Sequence, residues 1–116
     1  MDNTVSEKSF EFAVRIVNLY KYLIGEFKEF VMARQILRCG TSIGANIAEA
    51  QKGQSKADFT AKMQIALKEA CETEYWLRLL YRTEYIRKEQ FISMIQDVDE
   101  LISMLSAICK TAKERN

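Results

Sequence analysis

An all-α fold, an up-and-down antiparallel four-helix bundle, is what this sequence predicts, and three observations carry that prediction. The chain has no proline and only four glycines, Gly25, Gly40, Gly44 and Gly53, so few turns interrupt it and long helices are favoured over many short strands. Apolar residues recur at three- and four-residue steps along most of its length, the period of a helix buried on one side. The segments between those runs are short, on the order of two to eight residues, and such connections make consecutive long helices antiparallel neighbours. At 116 residues the chain, residues 1–116, is read as one domain, because a domain typically takes roughly 100–200 residues.

The first helix is predicted from about Ser6 to Phe27. Phe12, Ile16, Leu19 and Leu23 form one stripe, and Phe10, Val14, Val17, Ile24 and Phe27 form a second beside it. Two stripes exceed the single apolar face that a surface helix needs. The second helix covers about Phe30 to Gln51, with Met32, Ile36, Cys39, Ile43, Ile47 and Ala50 inward. Gly40-Thr41-Ser42 is its weak point, since it has the residues to end one helix and cap another, and a helix-interior glycine costs about 1 kcal/mol relative to alanine. Gly53 suits a left-handed cap.

Ser55 starts the third helix, with Asp58 three residues on as a capping-box partner. Its stripe is Phe59, Met63, Ala66, Ala70, Thr73, Leu77 and Leu80, ending near Tyr85. The fourth helix runs from about Lys88 to Lys113. Phe91, Ile95, Val98, Ile102, Leu105, Cys109 and Ala112 alternate steps of four and three as a bundle seam requires, and Met94, Leu101 and Ile108 widen it.

Composition excludes several function classes. Hydrophobic residues are 48% and charged residues 28% of the chain, with a net charge of +1, which is a globular balance and not that of a strongly electrostatic binder. The first residues hold Asp2, Glu7, Lys8 and Glu11, so no signal peptide is expected there, and no apolar run reaches the roughly 18 residues of a membrane span. Three distant cysteines, Cys39, Cys71 and Cys109, sit inside apolar patterns. They read as buried reduced thiols and place the chain in the cytoplasm.

No histidine occurs anywhere in the sequence, which removes the commonest general base and metal ligand together. A ferritin-like di-iron site, which needs Glu-x-x-His on two helices, is thereby excluded. No cysteine pair has zinc spacing, and neither a phosphate-binding loop nor a nucleophile elbow is present. Gly40-Thr41-Ser42-Ile43-Gly44 lacks the lysine and the preceding strand of a phosphate site. Glu69 and Glu72 share a helix face and read as a solvated stripe; Tyr75 and Trp76 read as packing in preference to a ligand pocket. No enzyme activity, no cofactor and no metal are expected.

Charge is unevenly spread. Between Phe30 and Lys68 six basic residues face two acidic ones, whereas Glu89 to Cys109 holds four acidic residues and no basic one. These are either two ordinary solvated helix faces or a basic and an acidic contact surface. In the second case Arg34, Arg38, Lys52, Lys56 and Lys62 are the candidate nucleic-acid contacts, for RNA or DNA. Opposite charge at two places, with the surplus stripe of the first helix, predicts a head-to-tail cyclic homo-oligomer.

Ser42-Ile43-Gly44-Ala45-Asn46-Ile47-Ala48-Glu49-Ala50 stands out. Gly40, Gly44 and Ala48 are spaced by four, so one helix face is nearly flat and admits another backbone. Asn46 and Glu49 share a different face between apolar neighbours, where a polar side chain is costly unless hydrogen-bonded. They act as a binding pair or, the reading preferred here, tie the second helix to a neighbour and fix its register.

With Gln35-Ile36-Leu37-Arg38, Ser42-Ile43, Asn46-Ile47-Ala48-Glu49-Ala50, Ser55 and Phe59 in view, the chain resembles, over essentially its whole length, the four-helix-bundle family named for the 23S rRNA intervening sequence. It departs from the family at Gly44, where members often carry proline, and at Ala50, where they often carry glycine. Ser42, Asn46 and Glu49 are in place. The resemblance implies a homo-oligomer, typically a pentameric ring, with no established catalytic activity. It also implies kinship with accessory proteins of diversity-generating retroelements, which bind nucleic acid and a reverse transcriptase. The alternative is a structural or protein-interaction bundle without nucleic-acid affinity.

Overall fold

The computed structural model describes residues 4–115. Four helices follow one another: α1 (Val5–Phe27), α2 (Val31–Gln51), α3 (Lys56–Arg82) and α4 (Lys88–Glu114). Each packs on the next, and α1 closes against α4, in a body of 46 × 24 × 21 Å. This is the predicted antiparallel four-helix bundle.

Local chemistry sets the helix ends. Thr4 Oγ1 accepts from the Glu7 amide at 3.1 Å while the Glu7 carboxylate accepts from the Thr4 amide at 3.4 Å, a capping box that starts α1 slightly before the predicted Ser6. Lys28 ends it in the left-handed region at φ 54°, with its amide on the Ile24 carbonyl. Glu29 Oε1 then accepts from the amides of Met32 and Ala33 at 2.8 and 3.1 Å, satisfying donors that the start of α2 leaves open. Ser55 caps α3 by accepting from the Asp58 amide at 3.1 Å, the predicted start, but Asp58 does not return the bond that a full capping box would have. Gly53 does not take the left-handed conformation expected of it; among the described residues the positive-φ positions are Lys28 and Glu84. The α2–α3 turn closes instead with the Lys52 and Gly53 amides on the carbonyls of Glu49 and Ala50.

Gly40-Thr41-Ser42 does not break α2. Thr41 Oγ1 donates to the Leu37 carbonyl and Ser42 Oγ to that of Arg38, both at 2.7 Å, and Asn46 Nδ2 donates to that of Ser42 at 2.8 Å. Each side chain that might have competed for the backbone bonds back into its own preceding turn. Tertiary packing supplies the rest. Gly40 is buried against Ile16 of α1, and a Cβ there would lie 2.7 to 2.9 Å from three Ile16 side-chain carbons. One turn on, a Cβ at Gly44 would lie 3.3 Å from Ser9 Oγ and 3.4 Å from the Ser9 carbonyl oxygen. The flat face of α2 therefore receives α1, backbone close to backbone.

That contact sets which stripe of α1 turns inward. Phe12, Ile16, Leu19 and Leu23 are buried with Ile36, Cys39, Ile43 and Ile47 of α2 and Met63, Leu77 and Leu80 of α3. Phe10, Val14 and Val17 remain 67%, 43% and 36% exposed. In α4 the deepest line is Met94, Val98, Leu101 and Leu105, while Phe91, Ile95, Ile102 and Cys109 of the predicted seam are only partly buried. An apolar face three positions wide permits that rotation, and Phe91 uses it to stack on Tyr81 with ring centroids 4.4 Å apart.

Two glycine replacements should respond with opposite sign. Gly40→Ala gains about 1 kcal/mol in helix propensity but overpacks a β-branched neighbour with no free rotamer, so a net loss of about 1–2 kcal/mol is expected. At Gly25 a Cβ would meet nothing within 4 Å, and alanine there should gain about 0.5–1 kcal/mol. Urea midpoints of the two variants check this; a stabilised Gly40→Ala would contradict the close approach.

Candidate nucleic-acid interface

The candidate cations lie along the edge formed by α2 and α3. Arg34 and Arg38 are one turn apart on α2, Lys52 and Lys56 flank the α2–α3 turn, and Lys62 stands further along α3. Arg34 and Lys52 are eighteen positions apart, which at the helical rise is about 27 Å. The set is thus a line and not one cluster.

Carboxylates hold part of that line. Arg38 Nη1 lies 3.2 Å from both Glu69 oxygens, and Nη2 donates to Glu72 Oε2 at 2.7 Å. The pairing strengthens the hold of Arg38 on its proton, through Glu72 first and Glu69 second. The same Glu72 oxygen accepts from the Trp76 indole N–H at 3.1 Å. Glu72 is held below the usual carboxylate range, chiefly by Arg38 and then by Trp76. Lys62 Nζ lies 2.8 Å from Glu49 Oε1.

Three candidates differ from these. Arg34 stacks its guanidinium 5.9 Å from the centre of the Phe30 ring, which leaves a guanidinium able to meet a phosphate. Lys52 and Lys56 are exposed, and among the described residues neither is in an ion pair. The acidic tract of α4 is likewise divided: Asp97 pairs with Arg15, whose other nitrogen donates to Ser93 at 2.9 Å, and Glu100 pairs with Lys8 at 3.2 Å.

Ser42, Asn46 and Glu49 are not brought together as one site. Ser42 and Asn46 bond within α2, and Glu49 alone reaches a neighbouring helix, on the exposed side at Lys62. The tie between helices that the sequence suggested for Asn46 and Glu49 is therefore made by Glu49 only, and in water. Tyr75 and Trp76 meet edge to face at 5.1 Å, with Tyr75 exposed.

Glu69 and Glu72 are the residues the sequence reading missed as partners of Arg38. Their shared helix face was visible, but the register of α3 against α2 was not. Elsewhere the neighbouring Asp99 carboxyl of α4, together with burial, raises the Glu74 carboxyl of α3 above the usual range. The three cysteines are unpaired, but only Cys39 is buried as expected; Cys109 is half-buried and Cys71 exposed, because it lies on the outer face of α3. Burial pushes the Cys39 thiol up to about 11 and raises that of Cys109. Among the described residues no group of three or more His, Cys, Asp or Glu is placed to hold a metal ion, and no helix is long and apolar enough to cross a membrane.

The Arg38 clamp has a pH signature. Glu72 has a folded-state pKa below its unfolded value, so its contribution is fully present above the unfolded value and is lost as pH falls through the folded one. Glu74, raised, has the opposite sign: its contribution is present at low pH and is lost as pH rises through its raised value. Comparing variants separates the two. Glu72→Gln should cost less than about 1 kcal/mol near neutrality, because the pair is partly exposed, and its deficit should vanish on acidification. Glu49→Ala should also cost less than about 1 kcal/mol. Thermal melts across the acid range check both; a pH-independent deficit for Glu72→Gln would contradict the clamp.

No curated protein matches this sequence. A protein of unknown function from the S23 ribosomal protein family of Bacteroides thetaiotaomicron, solved by crystallography at 1.70 Å, shares 64% identity with this chain at a TM-score of 0.91. The match covers 92% of this chain and 99% of that one. The family model described as 23S rRNA-intervening sequence protein matches residues 1–107. This chain belongs to the 23S rRNA-intervening sequence protein family.

Proposed function

We propose that this protein is a non-enzymatic homo-oligomer that binds nucleic acid, or a nucleoprotein, through the α2–α3 edge. The observation that carries the nucleic-acid part is the exposure of Arg34, Lys52 and Lys56 with no carboxylate bonded to them among the described residues. A cation already held by a carboxylate, such as Arg38, contributes less to a phosphate contact because it must exchange one anion for another. The absence of histidine from the sequence supports a binding role over acid–base chemistry.

Assembly makes the weak site useful. The α2–α3 edge of one subunit presents only a few unengaged cations, whereas a ring repeats them and gains avidity without new contacts. Affinity is then mainly electrostatic, with log K falling by about 0.7–0.9 per log unit of salt for each phosphate neutralised. The pairing of Arg38 and Lys62 with carboxylates of the same chain favours a second reading, an interaction bundle without nucleic-acid affinity.

A titration on single-stranded and duplex substrates across a salt series separates the two. Arg34→Ala/Lys52→Ala should weaken binding at least several-fold and flatten the salt slope, while Arg38→Ala should bind almost as wild type does. No binding at about 50 mM salt, where such contacts are strong, would select the interaction bundle. Equal binding by the double variant would move the site away from this edge.

A further inference from the structure

Two unexplained surface features lie at the same end of the bundle, where α1 begins, α2 turns into α3 and α4 ends. The first is a projection. Phe10 is 67% exposed, the most exposed large aromatic side chain among the described residues, and an open hollow beside it is lined by Ser6, Glu7 and Glu11. Its other flank is a shallow groove of small residues, including Ala13, Gly44, Ala45 and Ala48. The second is a recess of about 460 Å³ between the start of α3 and the end of α4, walled by Phe59, Ala107, Ile108 and Ala112. Lys56 and Arg115 also line this recess, and no carboxylate does.

Projection and recess match in three respects. Both are apolar at their centres, and a cavity of about 150 Å³ already holds a benzene ring, so this recess admits a phenylalanine side chain. Their flanks carry opposite charge, Glu7 and Glu11 beside the projection, Lys56 and Arg115 beside the recess. They also lie on different sides of the bundle, α1–α2 and α3–α4, so neither can fill the other within one chain. Such a pair makes a heterologous contact, which closes into a ring when the rotation permits.

We propose that Phe10 of one copy seats in the Phe59–Ile108 recess of the next, with Glu7 and Glu11 facing Lys56 and Arg115. This rests on the homo-oligomeric reading above and names the surfaces that build it. Lys56 then belongs to the contact between copies, and Arg34 and Lys52 remain on the outer edge for phosphate.

The decisive experiment mixes two broken surfaces. Phe10→Asp removes the projection and Ala107→Trp fills the recess; both positions are exposed, so the fold should persist, and circular dichroism verifies it. Each variant alone should have the mass of one chain by light scattering at tens of micromolar. Mixed one to one, they should form dimers, because one intact projection and one intact recess remain between them. If either variant keeps the wild-type mass, or the mixture stays monomeric, the proposed contact is wrong even though the oligomer stands. A monomeric wild type would overturn both readings.

Discussion

The approach of α1 to α2 at Gly40 governs much of what the rest of the molecule can do. Ile16 occupies the space that a side chain at position 40 would need, and Ser9 lies against Gly44 one turn further on. With the backbones this close, α1 has little freedom to rotate. Phe12, Ile16, Leu19 and Leu23 point into the bundle, and Phe10, Val14 and Val17 are left outside. An apolar stripe on the surface is therefore the other side of a well-fixed core. It offers an apolar contact surface, and this connects packing inside one chain to the association proposed between chains.

Electrostatics enters as a local device. The basic stretch on α2–α3 and the acidic stretch on α4 invite a picture of two oppositely charged faces meeting across copies. Within the chain, however, Glu69 and Glu72 hold Arg38, Glu49 holds Lys62, and Arg15 and Lys8 hold Asp97 and Glu100. Antiparallel neighbours place these charges at matching heights, so much of the apparent polarity is consumed in register. On the α2–α3 edge Arg34, Lys52, Lys56 and Lys68 stand outside these ion pairs, and Arg115 lies at the end of α4. In the proposed assembly, self-association would rest on apolar fit with charge at its margin, and phosphate affinity on repetition of a weak set.

The fold was legible because helix periodicity is local. The stripe of α1 and those of α2 and α3 could be read residue by residue, and Ser55 announced its cap. Three features were not legible, each because it depends on a partner distant in sequence. Whether Gly40 breaks or serves a helix depends on Ile16. The line of α4 that lies deepest depends on how Tyr81 receives Phe91. The availability of Arg38 depends on the height of Glu69 and Glu72. Gly53 misled for a different reason, since its suitability for a left-handed cap does not require one, and Lys28 and Glu84 take that conformation instead. The motif residues Ser42, Asn46 and Glu49 marked the family, while their geometry divides them between an internal helix role and an exposed ion pair.

In the proposed assembly the exposed stripe of α1 is covered by another copy of the chain. Light scattering of the wild-type protein at tens of micromolar measures this directly. A mass that is an integral multiple of the 13.5 kDa chain, two or greater and stable on dilution, is the predicted result. A single-chain mass of 13.5 kDa across that range would contradict it, and would leave Phe10, Val14 and Val17 as surface residues without a partner.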